Sequence, residues 1–320
     1  KYDFKAYAGY FQVYHNVAEK LKLMFNYRLE NNIYKYIGNT YDNYYNDNVP
    51  LVNYESENIM MGYKGSFLYG ISKNSNSYFS YAKGFKAGGV NQEPNLTESE
   101  RIFEPEYLIN FEIGIKTIKN NFGYAINAFF GNRKNQQVTL SKQRNVGDPN
   151  SFYFYTANST SGYISGLEMD LNYILGSNFT FQSTFGILDT YVESFEYEIT
   201  ENVRTTGGNR ESAMAPKYSG SFGLKFEKTD YYFLTNTSYK SEYYYSDSHK
   251  KRSKPYTLTN ITIGREIKDL SLNLWVRNIF NEKYTIRGFY FGLIPEDYPN
   301  QLFESYGSPR HFGITLNYGL

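Results

Sequence analysis

Six arginines stand in or beside polar, turn-rich stretches of this chain: Arg101, Arg133, Arg144, Arg204, Arg210 and Arg287. A guanidinium presents a planar fork of donors that matches a carboxylate or a phosphate. The chemistry these residues offer is therefore capture of an anion rather than bond making. Tyr243, Tyr244 and Tyr245 form a run of phenols at the foot of another such stretch, followed by the basic cluster Lys250, Lys251, Arg252 and Lys254. The solvated state of these charges competes with any binding role, because exposed Arg and Lys are ordinary surface residues.

Other chemistries lack their parts. There is no cysteine, which excludes disulfides and thiolate metal sites. The three histidines, His15, His249 and His311, are far apart, and no Ser or Asp sits in a nucleophile elbow. Glu98 and Glu100 lie in a loop and are expected to be solvated. The reading is a non-enzymatic chain with no cofactor and no metal site. A formal net charge of +1 gives no basis for binding nucleic acid.

What must position these residues is a set of strands. In residues 20–30, Leu21, Leu23, Phe25, Tyr27 and Leu29 alternate with Lys20, Lys22, Asn26, Arg28 and Glu30. In residues 106–118, Tyr107, Ile109, Phe111, Ile113 and Ile115 alternate with Glu106, Asn110, Glu112, Gly114 and Lys116. In residues 166–175, Leu167, Met169, Leu171, Tyr173 and Leu175 alternate with Glu168, Asp170 and Asn172. Strand side chains point alternately to opposite faces, so each run has one apolar and one polar face. The mean hydropathy of −0.59, with no run near 18 apolar residues, excludes a transmembrane helix but not strands that show only half their side chains to lipid. The 36 Tyr and 25 Phe against one Trp suit strands at a membrane interface.

The connections alternate in length. Tight polar turns occur at 119–121, 176–178, 228–230 and 268–269, with slightly longer ones near 15–19 and 72–77. Between them run long polar stretches at about 31–56, 86–104, 134–160, 190–213, 244–254 and 281–307. Outer-membrane barrels alternate short inner turns with long outer loops in this way. A soluble sandwich fits less well, since its strands average about 5–6 residues and its inner face carries no repeated charge. The expected fold is all-β, a transmembrane antiparallel barrel with about 13 strands, near 4–14, 20–31, 57–70, 76–86, 104–118, 122–134, 161–175, 178–190, 214–227, 230–243, 255–267, 270–281 and 308–320. Single-chain barrels use even numbers, so an odd count is expected of the C-terminal strands of a larger, about 22-stranded barrel. Residues 1–320 are read as one such barrel domain, with no signal peptide in view.

Five segments resemble the C-terminal half of TonB-dependent receptors: YFSYAKGFKAGGVN from Tyr78, FEPEYLINFEIGIK from Phe103, SGYISGLEMDL from Ser161, LNLWVRNIFNEKYTIRGFYFG from Leu272 and GSPRHFG from Gly307. They span almost the whole chain in the expected order. The resemblance implies a receptor and transporter of the bacterial outer membrane, taking up a scarce nutrient such as an iron–siderophore complex by TonB-dependent transport. The alternative is a passive outer-membrane channel or a structural barrel. The implied partners are outer-membrane lipid and lipopolysaccharide, whose phosphates suit the cluster at residues 250–254, and a metal chelate or other small nutrient. The TonB–ExbB–ExbD complex is implied through an N-terminal part, which with the plug domain is expected upstream. The implied ligand contacts are the loop residues Arg133, Arg144, Arg204, Arg210, Arg287, Tyr243, Tyr244 and Tyr245. Haem receptors of the family flank a ligand His with a segment that Pro94-Asn95-Leu96 partly echoes, but no His lies between Gly84 and Glu112.

The last strand puts Phe312, Ile314, Leu316, Tyr318 and Leu320 on one face. The resemblance implies a terminal aromatic read by the assembly machinery, where this chain has Leu320. Deleting Tyr318 to Leu320 from the full-length protein should sharply reduce its outer-membrane level, with Leu320→Phe preserved or improved. Heat-modifiable mobility in outer-membrane fractions measures both.

Overall fold

The computed structural model of the chain describes all residues except 43–46, 147, 293, 295–297, 300 and 320; for 39–42, 47–50 and 149 it describes the backbone alone. Leu320, the expected terminal signal, lies outside the described residues, as does part of the 281–307 connection. In chain order the strands are β1 (Tyr2–Ala18), β2 (Leu21–Asp42), β3 (Asp47–Ser72), β4 (Ser75–Lys86), β5 (Gly89–Val90), β6 (Ile102–Phe103) and β7 (Glu106–Ile118). Then come β8 (Phe122–Lys134), β9 (Gln137–Gln143), β10 (Phe152–Asn158), β11 (Ser161–Leu175), β12 (Phe179–Val192), β13 (Phe195–Thr200) and β14 (Val203–Gly207). The chain closes with β15 (Tyr218–Lys228), β16 (Tyr231–Lys240), β17 (Tyr256–Ile267), β18 (Leu270–Arg277), β19 (Thr285–Phe291), β20 (Gln301–Tyr306) and β21 (His311–Tyr318). The one α-helix among the described residues, α1 (Glu98–Arg101), has four residues.

One 13-stranded sheet dominates, in the order β1-β2-β3-β4-β7-β8-β11-β12-β15-β16-β17-β18-β21. Every neighbouring pair is antiparallel and sequence-adjacent within the sheet, so it is a continuous meander. The expected strand number and order stand. β1 and β21 form the two edges and do not pair with each other.

Register carries the alternation across the sheet. Leu23, Phe67, Phe79, Ile113, Ala128, Leu167 and Ile187 follow one another as ladder partners from β2 to β12. Phe233, Ile263, Leu274 and Ile314 continue that apolar face toward β21. The opposite face carries Lys116, Ala125, Asp170, Thr184, Ser221 and Ser238 in line. Hydrogen bonds knit this polar face: Tyr78 donates to Glu112, Asn127 to Glu168 at 3.1 Å, and Tyr232 to Asn273. The apolar face is bare, with Phe111 43%, Ile113 59% and Leu274 49% exposed. A row of uncovered large apolar side chains along a sheet is what a lipid-facing surface requires.

The tight turns lie at one end of this sheet. Thr229 and Lys268, in two of them, adopt positive φ of 57° and 52°, and Gly176 adopts 63°. At the other end, the connections fold. The stretch 31–56, expected as a loop, is a prolonged hairpin: the β2–β3 ladder runs from Leu21 opposite Tyr69 to Asp42 opposite Asp47. Its alternation simply continues, with Asn32, Tyr34, Asn58 and Met60 buried on one face. The other long connections hold short strands that pair among themselves as β10-β9-β13-β14, β19-β20 and β5-β6.

Phe111 sits mid-strand on the apolar face, beside Tyr81 and Phe130. Phe111→Arg should destabilise the protein in lipid vesicles by about 2–4 kcal/mol, while Glu112→Gln on the polar face should cost far less. Denaturant unfolding of the full-length protein reconstituted in vesicles measures the difference.

Candidate functional site

The folded connections form a cap at the long-connection end, and the apolar core of the described residues lies there. Leu96, Val138, Leu140, Tyr153, Tyr155, Val192, Phe195 and Tyr197 are all buried together. The cause is again period two. In β9, Val138, Leu140 and Lys142 point inward; in β10, Tyr153 and Tyr155; in β13, Phe195 and Tyr197.

Lys142 is buried at the edge of this core, 2.6 Å from Glu198 on β13 and 3.2 Å from Glu100 on α1. Burial pulls its pKa down, but the two carboxylates outweigh that and raise it. The hydrogen bond from Lys142 holds the Glu198 carboxyl below its ordinary value of 4.5. Glu100 also accepts from the Thr97 backbone N–H at 3.0 Å and its hydroxyl at 2.8 Å, a capping box on α1. Glu100 is thus a structural ion, not the solvated loop carboxylate expected from sequence. Asn91 completes the seam, donating to Glu100 O at 2.8 Å and Thr156 O at 2.7 Å and accepting from Thr156 N at 2.9 Å.

The arginines singled out by sequence are mostly engaged by the chain itself. Arg101 is buried, forking onto the carbonyls of Glu93 at 3.2 Å and Pro94 at 2.8 Å. Arg210 donates to the carbonyls of Ser246, Asp247 and His249, each at 2.8 Å. Arg252 bridges Glu242 at 2.7 Å and Glu211 at 3.0 Å. The guanidinium carbons of Arg210 and Arg252 stand 4.1 and 4.0 Å from the centre of the Tyr244 ring. Arg204 is exposed near Glu196 and Glu198, Arg133 lies 3.7 Å from Glu106, and Arg144 reaches Asn95 at 3.4 Å. Arg287 is exposed and makes no ion pair among the described residues. Lys250, Lys251 and Lys254 are exposed as well.

Tyr243 and Tyr245 are buried, meeting edge-on at 6.2 Å. Tyr245 donates to Glu304 on β20 at 2.6 Å, and its pKa is pushed up to about 12 by burial and by that carboxylate. It packs on Gly288, where a Cβ would come within 2.4 Å of the ring, so glycine is needed at that crossing. His249, whose ring meets Tyr290 edge-on at 5.2 Å, lies 3.2 Å from the carbonyl of Gly288, and burial holds its pKa down.

Between the four-stranded cap sheet, residues 246–249 and β19 lies a cleft of about 270 Å³. Phe152 and Phe154 of β10 form one wall, and Phe289, Tyr290 and Phe291 of β19 form another. Sequence reasoning passed over these rings. The alternation that buries Tyr153 and Tyr155 puts Phe152 and Phe154 on the opposite face, and that was the available signal.

The description "TonB dependent receptor-like, beta-barrel" belongs to the family model that matches residues 1–279. Among solved structures, the ferric yersiniabactin uptake receptor FyuA from Yersinia pestis superposes with a TM-score of 0.79 at 13% identity, over 98% of this chain and 45% of that one. The ferric-catecholate import receptor Fiu from E. coli K12 gives 0.73 at 16%, over 98% and 44%. The copper transporter OprC gives 0.73 at 13%, over 98% and 48%. The chain spans less than half the length of each.

Lys142→Met should leave Glu100 and Glu198 unpaired and loosen the cap by about 2–3 kcal/mol, below the 3–5 of a fully buried pair because both carboxylates are partly exposed. Hydrogen exchange of β9 and β13 in the full-length protein should show it, with the membrane strands unchanged. In the parent, the depressed Glu198 contributes stability above pH 4.5 that is lost as pH falls through its folded value. The raised Lys142 keeps its contribution below its ordinary 10.5. Cap protection should therefore hold across neutral pH and fall only in acid below 4.5.

Proposed function

The chain belongs to the TonB-dependent receptor β-barrel family, and from that premise we propose that its parent protein takes up a scarce nutrient across the bacterial outer membrane, an iron–siderophore complex being the favoured cargo. Residues 1–320 serve as a C-terminal portion of its barrel domain. The apolar sheet face meets outer-membrane lipid, the polar face lines the interior, and the cap faces outward, where ligand arrives. Energy comes from the TonB–ExbB–ExbD complex through a segment outside this chain. Lys250, Lys251 and Lys254, all exposed, are proposed to meet lipopolysaccharide phosphates.

The single observation that carries this reading is the family match over most of the chain. The register supports it: one apolar face runs from β2 to β12 on strands paired with a neighbour on both sides, which is how strands cross hydrocarbon. Arg144, Arg204, Arg210, Arg287 and Tyr244 belong to the cap. Arg133 lies at its base, and Tyr243 and Tyr245 shape it from within. In this reading most of these residues act on ligand through the cap they hold, and Arg287, exposed and without an ion pair among the described residues, is left for direct contact.

Deleting the gene should abolish growth on at least one ferric chelate supplied as sole iron source. Radioiron uptake of that chelate by wild-type cells should stop on adding a protonophore. Uptake that continues at the same rate without the proton gradient would favour the passive-channel alternative.

A further inference from the structure

Much of the cap's cationic charge is turned inward, which bears on what it binds. Arg101 and Arg210 are spent on backbone carbonyls, Arg252 on Glu211 and Glu242, and Lys142 on Glu100 and Glu198. Among the described residues that line the cleft there is no Lys, Arg, Asp or Glu; its polar lining includes Ser141, Gln143, Thr200, Ser246 and Ser248. The titratable side chains lining it are Tyr197, His249 and Tyr290; His249 is half-buried, and burial holds its pKa down.

The walls are aromatic and only partly used. Phe291 meets Phe152 at 5.2 Å and 64°, and Phe289 at 5.2 Å and 82°, both edge-to-face. Yet Phe154 is 56% exposed and Phe289 40%. Both rings line the cleft and both meet Phe291, at 6.4 and 5.2 Å. Fixed aromatic edges and faces around an open slot suit insertion of one more ring, which prefers offset or edge-on contacts at such spacings. The size agrees: about 150 Å³ of apolar cavity holds benzene, so 270 Å³ takes a substituted ring and its linker, but less than a whole chelate.

We infer that this cleft, walled by Phe152, Phe154, Phe289 and Phe291, is an aromatic subsite that selects iron chelates bearing an uncharged aryl group over compact polyanionic chelates. The inference rests on the uptake reading above and narrows its substrate class. An anionic chelate would have to desolvate its carboxylates against a wall with no cation to receive them, whereas an aryl group gains by leaving water.

The test uses the full-length receptor purified in detergent and two neutral probes that differ only by the ring: ferric tris(benzohydroxamate) and ferric tris(acetohydroxamate). Ferric citrate is the anionic probe. By calorimetry, the wild-type protein should bind the benzohydroxamate complex at least about ten-fold more tightly than the acetohydroxamate complex. Phe154→Ala and Phe289→Ala should bring the two within about two-fold, with Phe154→Tyr retaining the preference. Unchanged heat-modifiable mobility shows that the variants are folded. Equal binding of the two hydroxamates by the wild type would overturn the subsite, as would a ring preference that survives both alanine variants. Tightest binding of ferric citrate, lost in Arg287→Ala, would overturn it in favour of a cationic contact on β19. In each of these cases energy-dependent uptake of a ferric chelate leaves the receptor reading standing. If no ferric chelate binds and none is taken up, both readings fall together.

Discussion

The rest of this structure depends on one constraint: a backbone inside hydrocarbon has no water to bond with, so every N–H and C=O must find a partner in the chain. An antiparallel meander meets that demand between neighbouring strands, and the 13 strands form one continuous ladder whose outer edges are β1 and β21. Pairing then forces the side chains into two sets. One set must be acceptable to lipid, and the other faces inward, where Glu112, Asn127, Glu168 and Asp170 stand. A sheet arranged in this way keeps its apolar residues on the outside and so has no apolar core of its own. Its shape is held by the ladder and by side-chain bonds such as Asn127 to Glu168.

Beyond the membrane the constraint reverses, because water competes for every backbone group and a segment stays folded only by burying apolar surface. That is why the core of the described residues lies in the cap, in eight side chains drawn from three connections. Eight side chains make a small core, and polar groups extend it. Arg210 ties the 246–249 carbonyls to the segment after β14, Asn91 ties the β4–β7 connection to β10, and Lys142 joins α1, β9 and β13. Cations that might have faced a ligand are used to hold loops together. Recognition and rigidity draw on the same few residues, and the aromatic rings on the far side of β10 are among those that remain uncommitted.

The sequence made the membrane part legible because one rule acts over long strands. Period two in residues 20–30, 106–118 and 166–175 yields the register seen between β2, β7, β11 and their neighbours, including the faces of Phe111 and Glu112. The cap obeys the same rule in pieces of five to seven residues, too short to stand out among polar flanks, so QVTLSKQ and FEYEIT read as loop. Residue type showed that Arg210 or Tyr245 was placed to bind something; it could not show that the partner was a carbonyl of residues 246–249 or the carboxylate of Glu304. Those partners lie 36 to 59 positions away and meet only once the meander has brought its outer ends together. Glu100 is the clearest case: a loop carboxylate by sequence, it becomes an ion-pair partner because β9 presents Lys142 to it from 42 residues on.

This division of labour also explains why the fold is silent about cargo. A receptor for ferric yersiniabactin, one for ferric catecholates and a copper transporter superpose on this chain with nearly the same score at 13–16% identity. Their common feature is the ladder that lipid enforces, which fixes pairing and face but says nothing about what sits at the outer end. Where a side chain is answerable only to lipid or to its ladder neighbour, many sequences serve. Where it must complete a seam such as Lys142 with Glu100 and Glu198, few do, because removing one partner strands the others. Specificity has to be written in the cap, in residues free of both obligations. In this chain we infer that the exposed rings of Phe154 and Phe289 are among them, held by a cap in which Arg101, Lys142, Arg210 and Arg252 are already paired.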